Sequence, residues 1–209
     1  MSVAGFARRP TGAKLRRKRV FDLVVGSVLT VVLLPVFVLI TIAIAVDSRG
    51  PLFHVSERTG RNGKRFGMIK FRTMVRDADQ IKDQLRHLSV VPWPDFKIIP
   101  DPRITAVGRF LRSTSLDELP QLINVLRGEM SLVGPRPTTF TADTYSLWHT
   151  ARLDIAPGMT GLWQVGGRNR LTFDERVRLD IEYIASVSVW SDLKLLARTV
   201  GTVIRQEGA

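Results

Sequence analysis

The chain has no cysteine, which excludes disulfides, thiolate metal sites and cysteine nucleophiles. Histidine is scarce: His54, His87 and His149 are scattered and form no HExxH pattern, so a histidine-rich metal centre is not expected. Acids are few against bases. Nineteen Asp plus Glu face 31 Lys plus Arg, a formal charge of +12. That excess predicts an anionic partner: nucleic acid, an acidic membrane surface or a phosphorylated substrate. No repeat or low-complexity tract is present. Hydrophobic residues make up 44% and charged residues 24% of the 209, a composition that folds, with length for one domain, or one domain plus an appendage. The mean hydropathy of +0.06 is high for so charged a chain, so its apolar residues must be concentrated.

They are concentrated between Leu23 and Val46, where 24 residues carry no charge. As a helix this run reaches roughly 36 Å, enough for a hydrocarbon core of about 30 Å. A soluble core helix rarely stays apolar on every face for so long. Ala43-Ile44-Ala45 imitates a signal-peptide cleavage site, but the apolar run exceeds a usual h-region. Residues 1–19 hold seven basic residues and no acid, and Arg49, Arg58, Arg61, Lys64 and Arg65 outweigh Asp47 and Glu57 downstream. Basic flanks favour the cytoplasmic side. Pro35, near the middle, removes a backbone hydrogen bond and bends a helix. A re-entrant hairpin bent at Pro35 and a Pro-kinked single span both remain open on charge alone. The chain divides into a basic arm (1–19), a membrane segment (20–47) and a cytoplasmic domain (48–209).

In that domain, Leu52–Arg58 and Lys64–Met74 flank an Asn62-Gly63 turn and read as a β-hairpin. Residues 75–90 read as a charged helix and Val91–Pro102 as a Pro-rich connector. Thr172-Phe173-Asp174-Glu175 is a capping box that opens a helix toward Ile184. A last helix, from about Asp192 to Gln206, places Leu193, Leu196, Val200, Val203 and Ile204 near one face, with Lys194, Arg198 and Arg205 elsewhere. Such a helix can lie on a membrane surface or pack on a core.

The chemistry concentrates between Arg103 and Pro137. Asp117-Glu118 sits between a basic stretch (Arg103, Arg109, Arg112) and an amphipathic helix carrying Leu119, Leu122, Ile123 and Leu126, which Gly128 can end. Ser115 with Glu118 forms a capping-box pattern, a purely structural use of the acids. The other use is catalytic. A helix N-terminus and nearby arginines would keep Asp117 ionised, and a carboxylate can attack phosphorus. Gly134-Pro135-Arg136-Pro137 restrains the backbone around Arg136, either as a rigid turn or as a fixed guanidinium for phosphate. Further cations stand at Lys70, Arg72 and Arg168. Gly158-Met159-Thr160-Gly161 reads as a simple loop rather than a phosphate cradle.

Several stretches together resemble the bacterial sugar transferases, the monotopic polyprenyl-phosphate phosphoglycosyl transferases. They are Lys18-Arg19-Val20-Phe21-Asp22, Lys70-Phe71-Arg72-Thr73-Met74, Asp101-Pro102-Arg103-Ile104-Thr105, Leu111 to Gln121, Met130 to Pro137, and Pro157 to Gln164. The resemblance implies an α+β, mostly helical fold: a re-entrant membrane hairpin and a small domain with a β-hairpin and membrane-surface amphipathic helices. It places the chain on the cytoplasmic face of the bacterial inner membrane. It implies transfer of a sugar-1-phosphate from a UDP-sugar to undecaprenyl phosphate, with release of UMP. In that family pattern Asp117 is the nucleophile and forms a phosphosugar-aspartyl intermediate. Glu118 binds Mg²⁺, and Arg112 and Arg136 serve the phosphates. Lys70, Arg72 and Arg168 are further candidates for the phosphates, while Asp192 is left without a role. Membrane lipid is an expected partner, nucleic acid is not, and a homo-oligomer is left open. Leu34-Pro35 departs from the Ser-Pro often found at the bend, and Gly166 stands where Ser or Asn is common. The competing reading is a membrane-tethered basic protein that holds nucleic acid or anionic lipid without catalysis.

Overall fold

The computed structural model describes residues 10–81, 83–89, 98–166 and 171–204. Thr11 caps helix α1, its side-chain oxygen accepting from the Lys14 N–H, and α1 runs from Gly12 to Val32. The second half of the expected basic arm is therefore helical and continuous with the expected membrane segment. The helix breaks at Leu33 and resumes as α2 (Leu34–Asp47), bent by 58°. Pro35 falls in the first turn of α2, where its missing N–H leaves no helical bond unmade. Neither helix alone is long and apolar enough to cross a membrane; the bent pair passes that test together.

Most of the pair's large apolar side chains point away from the protein. Val24, Val28, Val31, Val32, Leu34, Val38, Leu39, Ile42 and Val46 are all exposed. A soluble core helix would hide them, and so large an exposed apolar face marks a lipid or protein contact. Against the domain, α1 instead buries Lys18, Asp22 and Gly26, one stripe at four-residue spacing. Lys18 Nζ donates to Asp192 Oδ2 at 2.6 Å, and Asp22 accepts from Ser131 Oγ (2.8 Å) and the Leu132 N–H (3.1 Å). Arg19 donates to the Val125 and Leu126 carbonyls. The fully buried stripe of α1 is thus polar, flanked by Leu15, Phe21, Val25 and Leu29 against the core, while its outward side is apolar.

The expected hairpin forms. Strands β1 (Phe53–Thr59) and β2 (Arg65–Phe71) pair antiparallel, with Val55 opposite Ile69 and His54 opposite Lys70. Asn62 and Gly63 supply the two positive φ angles of the turn. The charged helix expected at 75–90 is absent among the described residues there, which form turns and a short 3₁₀ segment, Arg86–Leu88. Among the described residues of 75–89 only Ala78 is a buried apolar residue, so a helix would have no face to bury. Most of the Pro-rich connector lies outside the described residues.

Helices α3 (Ala106–Ser113) and α4 (Gln121–Arg127) follow. Gly128, at φ 85°, ends α4 as its position in the sequence suggests. The loop reading of 158–161 is corrected. Strands β3 (Ser131–Val133) and β4 (Gly158–Thr160) pair in parallel, too short to show as a strand pattern. The backbones there approach so closely that a Cβ on Gly158 would lie 2.0 Å from the Gly134 nitrogen. After the short helix α5 (Leu162–Gly166), the capping box at Thr172 and Glu175 is fully formed and opens α6 (Phe173–Ser186).

Helix α7 (Val189–Ile204) corrects the expected apolar face. Its buried stripe is Asp192 and Leu195, flanked by partly buried Leu196 and Thr199, while Leu193 and Val200 are exposed with Trp190. The helix carries two apolar stripes, one toward the core and one outward. The main core gathers Met68, Leu122, Val125, Leu132, Val133, Ile184 and Leu195 from β2, α4, β3, α6 and α7. A second cluster of Ile40, Ile44, Phe71 and Leu111 joins α2 to β2 and α3.

Candidate active site

Between α3 and α4 the chain makes a 3₁₀ turn, Leu116–Glu118, entered through Ser115 at φ 56°. The capping box expected from Ser115 and Glu118 does not form, because the Ser115 side chain caps nothing in this left-handed conformation. The Glu118 carboxylate turns elsewhere. Its Oε1 accepts from Lys70 Nζ at 2.7 Å and from Arg136 Nη2 at 2.9 Å. Lys70 Nζ also lies 3.8 Å from Asp117 Oδ2. Asp117 is only 8% exposed.

Each cation is held from behind. Lys70 sits on β2, which α4 pins through Asn124: the Ile69 N–H donates to Asn124 Oδ1 (3.0 Å), and Asn124 Nδ2 donates to the Gly67 carbonyl (2.8 Å). Arg136 stands just beyond β3. The Gly134 N–H donates to Thr160 O and the Gly158 N–H to Pro135 O. The Arg136 carbonyl also accepts from Arg152 Nη2 at 2.7 Å, and Arg152 is paired with Asp180 at 2.7 Å, both side chains buried. Its two prolines are therefore one of several restraints. Arg112, on α3, donates from Nε to Thr73 Oγ1 at 2.8 Å.

Electrostatics separates the two acids. Burial would push Glu118 up, but Arg136 and then Lys70 outweigh it and hold the carboxyl down to about 2. Burial dominates at Asp117 and raises its pKa; Lys70 and Arg112 oppose the rise, while the Glu118 charge adds to it. The helix N-terminus and arginines expected to hold Asp117 down are thus outweighed, and α4 starts only at Gln121. Burial lowers Arg112, and burial followed by repulsion from Arg136 and Arg65 lowers Arg58.

A polar cleft of about 620 Å³ collects His54, Arg58, Lys70, Arg112, Asp117 and Glu118. Of the residues singled out in the sequence, Asp117, Glu118, Lys70, Arg112 and Arg136 come together. Arg72 reaches the same cleft wall, but its guanidinium donates to Ser48 O, Ser48 Oγ and Arg49 O, tethering the end of α2. Arg168 lies outside the described residues. Pro35 is exposed at the bend, well away in sequence from the acids. Arg58, Asn124 and the Arg152–Asp180 pair were not singled out. Asn124 left no trace, because it lies roughly opposite the Leu119, Leu122, Ile123 and Leu126 face, yet α4 buries it. The others depend on contacts between elements distant in sequence.

The family model for bacterial sugar transferases matches residues 13–206. The chain belongs to that family. It is 43% identical over 197 residues to an undecaprenyl-phosphate galactose phosphotransferase of Salmonella typhimurium, covering 92% of this chain and 41% of that protein. It is 40% identical over 204 residues to a UDP-glucose:undecaprenyl-phosphate glucose-1-phosphate transferase of Caulobacter vibrioides, covering 92% and 72%. An exopolysaccharide production protein of Rhizobium meliloti is 38% identical over 210 residues, covering 97% and 91%. The chain spans about two-fifths of the length of several other curated relatives it matches.

Proposed function

We propose that this chain transfers a sugar-1-phosphate from a UDP-sugar to undecaprenyl phosphate in the synthesis of a bacterial surface glycan. The observation that carries this reading is the buried Asp117 beside Lys70 and Arg112, with its neighbour Glu118 already clamped by Lys70 and Arg136. An oxygen of the Asp117 carboxylate attacks the phosphorus that bears the sugar. The bond from that phosphorus to the bridging oxygen breaks, and UMP leaves with the electron pair. A phosphate oxygen of the lipid then attacks the same phosphorus and displaces the aspartate, which returns as a carboxylate. The product is a lipid diphosphate sugar.

Charge is the barrier that the site must lower. A carboxylate at about 5 Å from a doubly charged pyrophosphate meets roughly 6–7 kcal/mol of repulsion at an effective dielectric near 20. That is about five decades of rate. Lys70, Arg58, Arg112 and Arg136 stand where they offset it. Mg²⁺ fits the acids. Among the described residues no cluster of three or more metal-ligating side chains gathers, but this ion commonly binds through one or two carboxylates plus substrate phosphates. Glu118 would hold it together with the substrate phosphates, and both protein cations on Glu118 fall on Oε1 alone. When bound, it would neutralise developing charge on the phosphates.

The exposed apolar side of α1 and α2, with basic residues at both ends, supports a hairpin that enters and leaves at the cytoplasmic face. The alternative, a tethered polyanion binder, gives no reason to bury two carboxylates among cations. The test is UMP release from a panel of UDP-sugars with undecaprenyl phosphate. Wild type should release UMP, Asp117→Ala should not, and EDTA should stop the reaction. Equal turnover by Asp117→Ala would end the proposal, as would steeply salt-dependent DNA binding without any UMP release.

A further inference from the structure

A second cavity, of about 420 Å³, reaches Glu118 along a different set of walls. Its walls are Leu29, Leu33, Leu119, Leu122, Met159 and Leu196, supplied by α1, the hairpin break, the turn before α4, α4 itself, β4 and α7. It ends at Glu118 and Arg136, with Arg176 and Trp163 close by. The polar cleft described above shares Ser115 and Glu118 with it and little else.

We propose that this groove receives the isoprene units nearest the phosphate of the lipid acceptor, while the donor uses the polar cleft. The inference rests on the transferase reading and assigns its two substrates to two openings. Leu29 and Leu33 belong to the membrane pair, so the groove begins at lipid depth. Its walls are mostly apolar, with Thr160, Gln164 and Thr199 among them, whereas the charge and hydroxyls of a nucleoside diphosphate sugar suit the cationic cleft. Its inner end is cationic, with Arg136, and Arg176 packed 5.0 Å over the Trp163 ring. Trp163 lines the same cavity, and its buried indole N–H has no acceptor among the described residues. An amphiphile with an isoprenoid tail and a phosphate head matches that polarity end to end. Ordinary phospholipids share the chemistry, but only the acceptor must bring its phosphate to the Asp117–Glu118 turn, and the groove stops at Glu118. Two openings also let UMP leave by the polar side while the lipid phosphate comes in from the membrane side.

The test uses the full chain in detergent and a polyprenyl phosphate with a diazirine on its first isoprene unit. Labelling needs no turnover, so its outcome is independent of the UMP assay that judges the transferase reading. Label should fall on peptides bearing Leu29, Leu33 and Leu196. It should be competed by unlabelled polyprenyl phosphate and not by phosphatidic acid. Leu196→Trp and Leu33→Trp, which fill the groove from opposite walls, should each lower labelling about tenfold, whereas Leu196→Met should label as wild type. Label on the outward Val38, Leu39 and Ile42, equal competition by phosphatidic acid, or undiminished labelling of both tryptophan variants would overturn the assignment.

Discussion

Lys18 Nζ lies 2.6 Å from Asp192 Oδ2, both side chains buried, across 174 positions of sequence. The pair joins the first turns of α1 to α7, and Tyr183 completes it by donating to Asp192 Oδ1 at 2.6 Å. Asp192 thereby gains a structural role that its sequence position did not reveal. Lys18→Ala should destabilise the protein by about 3–5 kcal/mol, because it strands a buried carboxylate. Replacing both partners, as Lys18→Met with Asp192→Leu, should cost clearly less than either single change. Thermal unfolding in detergent measures this. A double variant as unstable as the sum of its singles would refute a coupled pair.

Arg136 is expected to act through a fixed fork rather than through charge alone. Its backbone is held by β4 and by Arg152, and one nitrogen is already committed to Glu118. Arg136→Lys keeps the charge but loses the planar donor geometry. A charge-assisted hydrogen bond is worth about 1.5–3 kcal/mol, so kcat/KM should fall roughly 10- to 100-fold in Arg136→Lys. Arg136→Ala should fall further. Steady-state UMP release decides it, and equal activity of Lys and Arg at this position would contradict the fork.

What could be read beforehand, and what could not, follows from the range of the forces. The hairpin turn at Asn62-Gly63, the capping box at Thr172 and the C-cap at Gly128 are local devices, and all three appear where the residues put them. The bend at Pro35 is local too. Ser115 shows the limit: its spacing to Glu118 suits a cap, yet Lys70 and Arg136, from β2 and the loop after β3, draw the carboxylate away. Tertiary charge overrode a local pattern. The same holds for Arg72, whose Lys-Phe-Arg context suggested phosphate but whose guanidinium holds the end of α2. In α7, the choice between two apolar stripes was made by Asp192, buried by a lysine no local pattern could supply.

Asn124 links fold to site. It satisfies the Ile69 N–H and the Gly67 carbonyl, and Ile69 precedes Lys70. Asn124→Leu fits the apolar surroundings but leaves both backbone groups without their partner, at about 1–3 kcal/mol each. Lower stability should come with a lower kcat, since Lys70 would lose its fixed approach to Glu118. Measuring melting and UMP release on the same samples tests the link. Loss of stability with unchanged kcat would show that Lys70 is positioned by other contacts.

Asp180 provides a pH dependence whose sign is fixed. Burial raises its carboxyl to about 7 in the folded protein, although Arg152 opposes the rise. In the unfolded chain an aspartate titrates near 4. Between these values the folded state binds the extra proton, so this group's contribution is full below about pH 4 and is lost as pH rises through about 7. Asp180→Asn removes that titration. Relative to wild type, the variant should therefore gain stability between pH 5 and pH 8, by about 2–3 kcal/mol. Parallel melting curves in detergent at the two pH values give the difference directly. A gap that stays constant with pH, or one that moves in favour of wild type, would mean that the Arg152 pairing keeps Asp180 ionised throughout, and the loss of stability on raising the pH would have to come from another group.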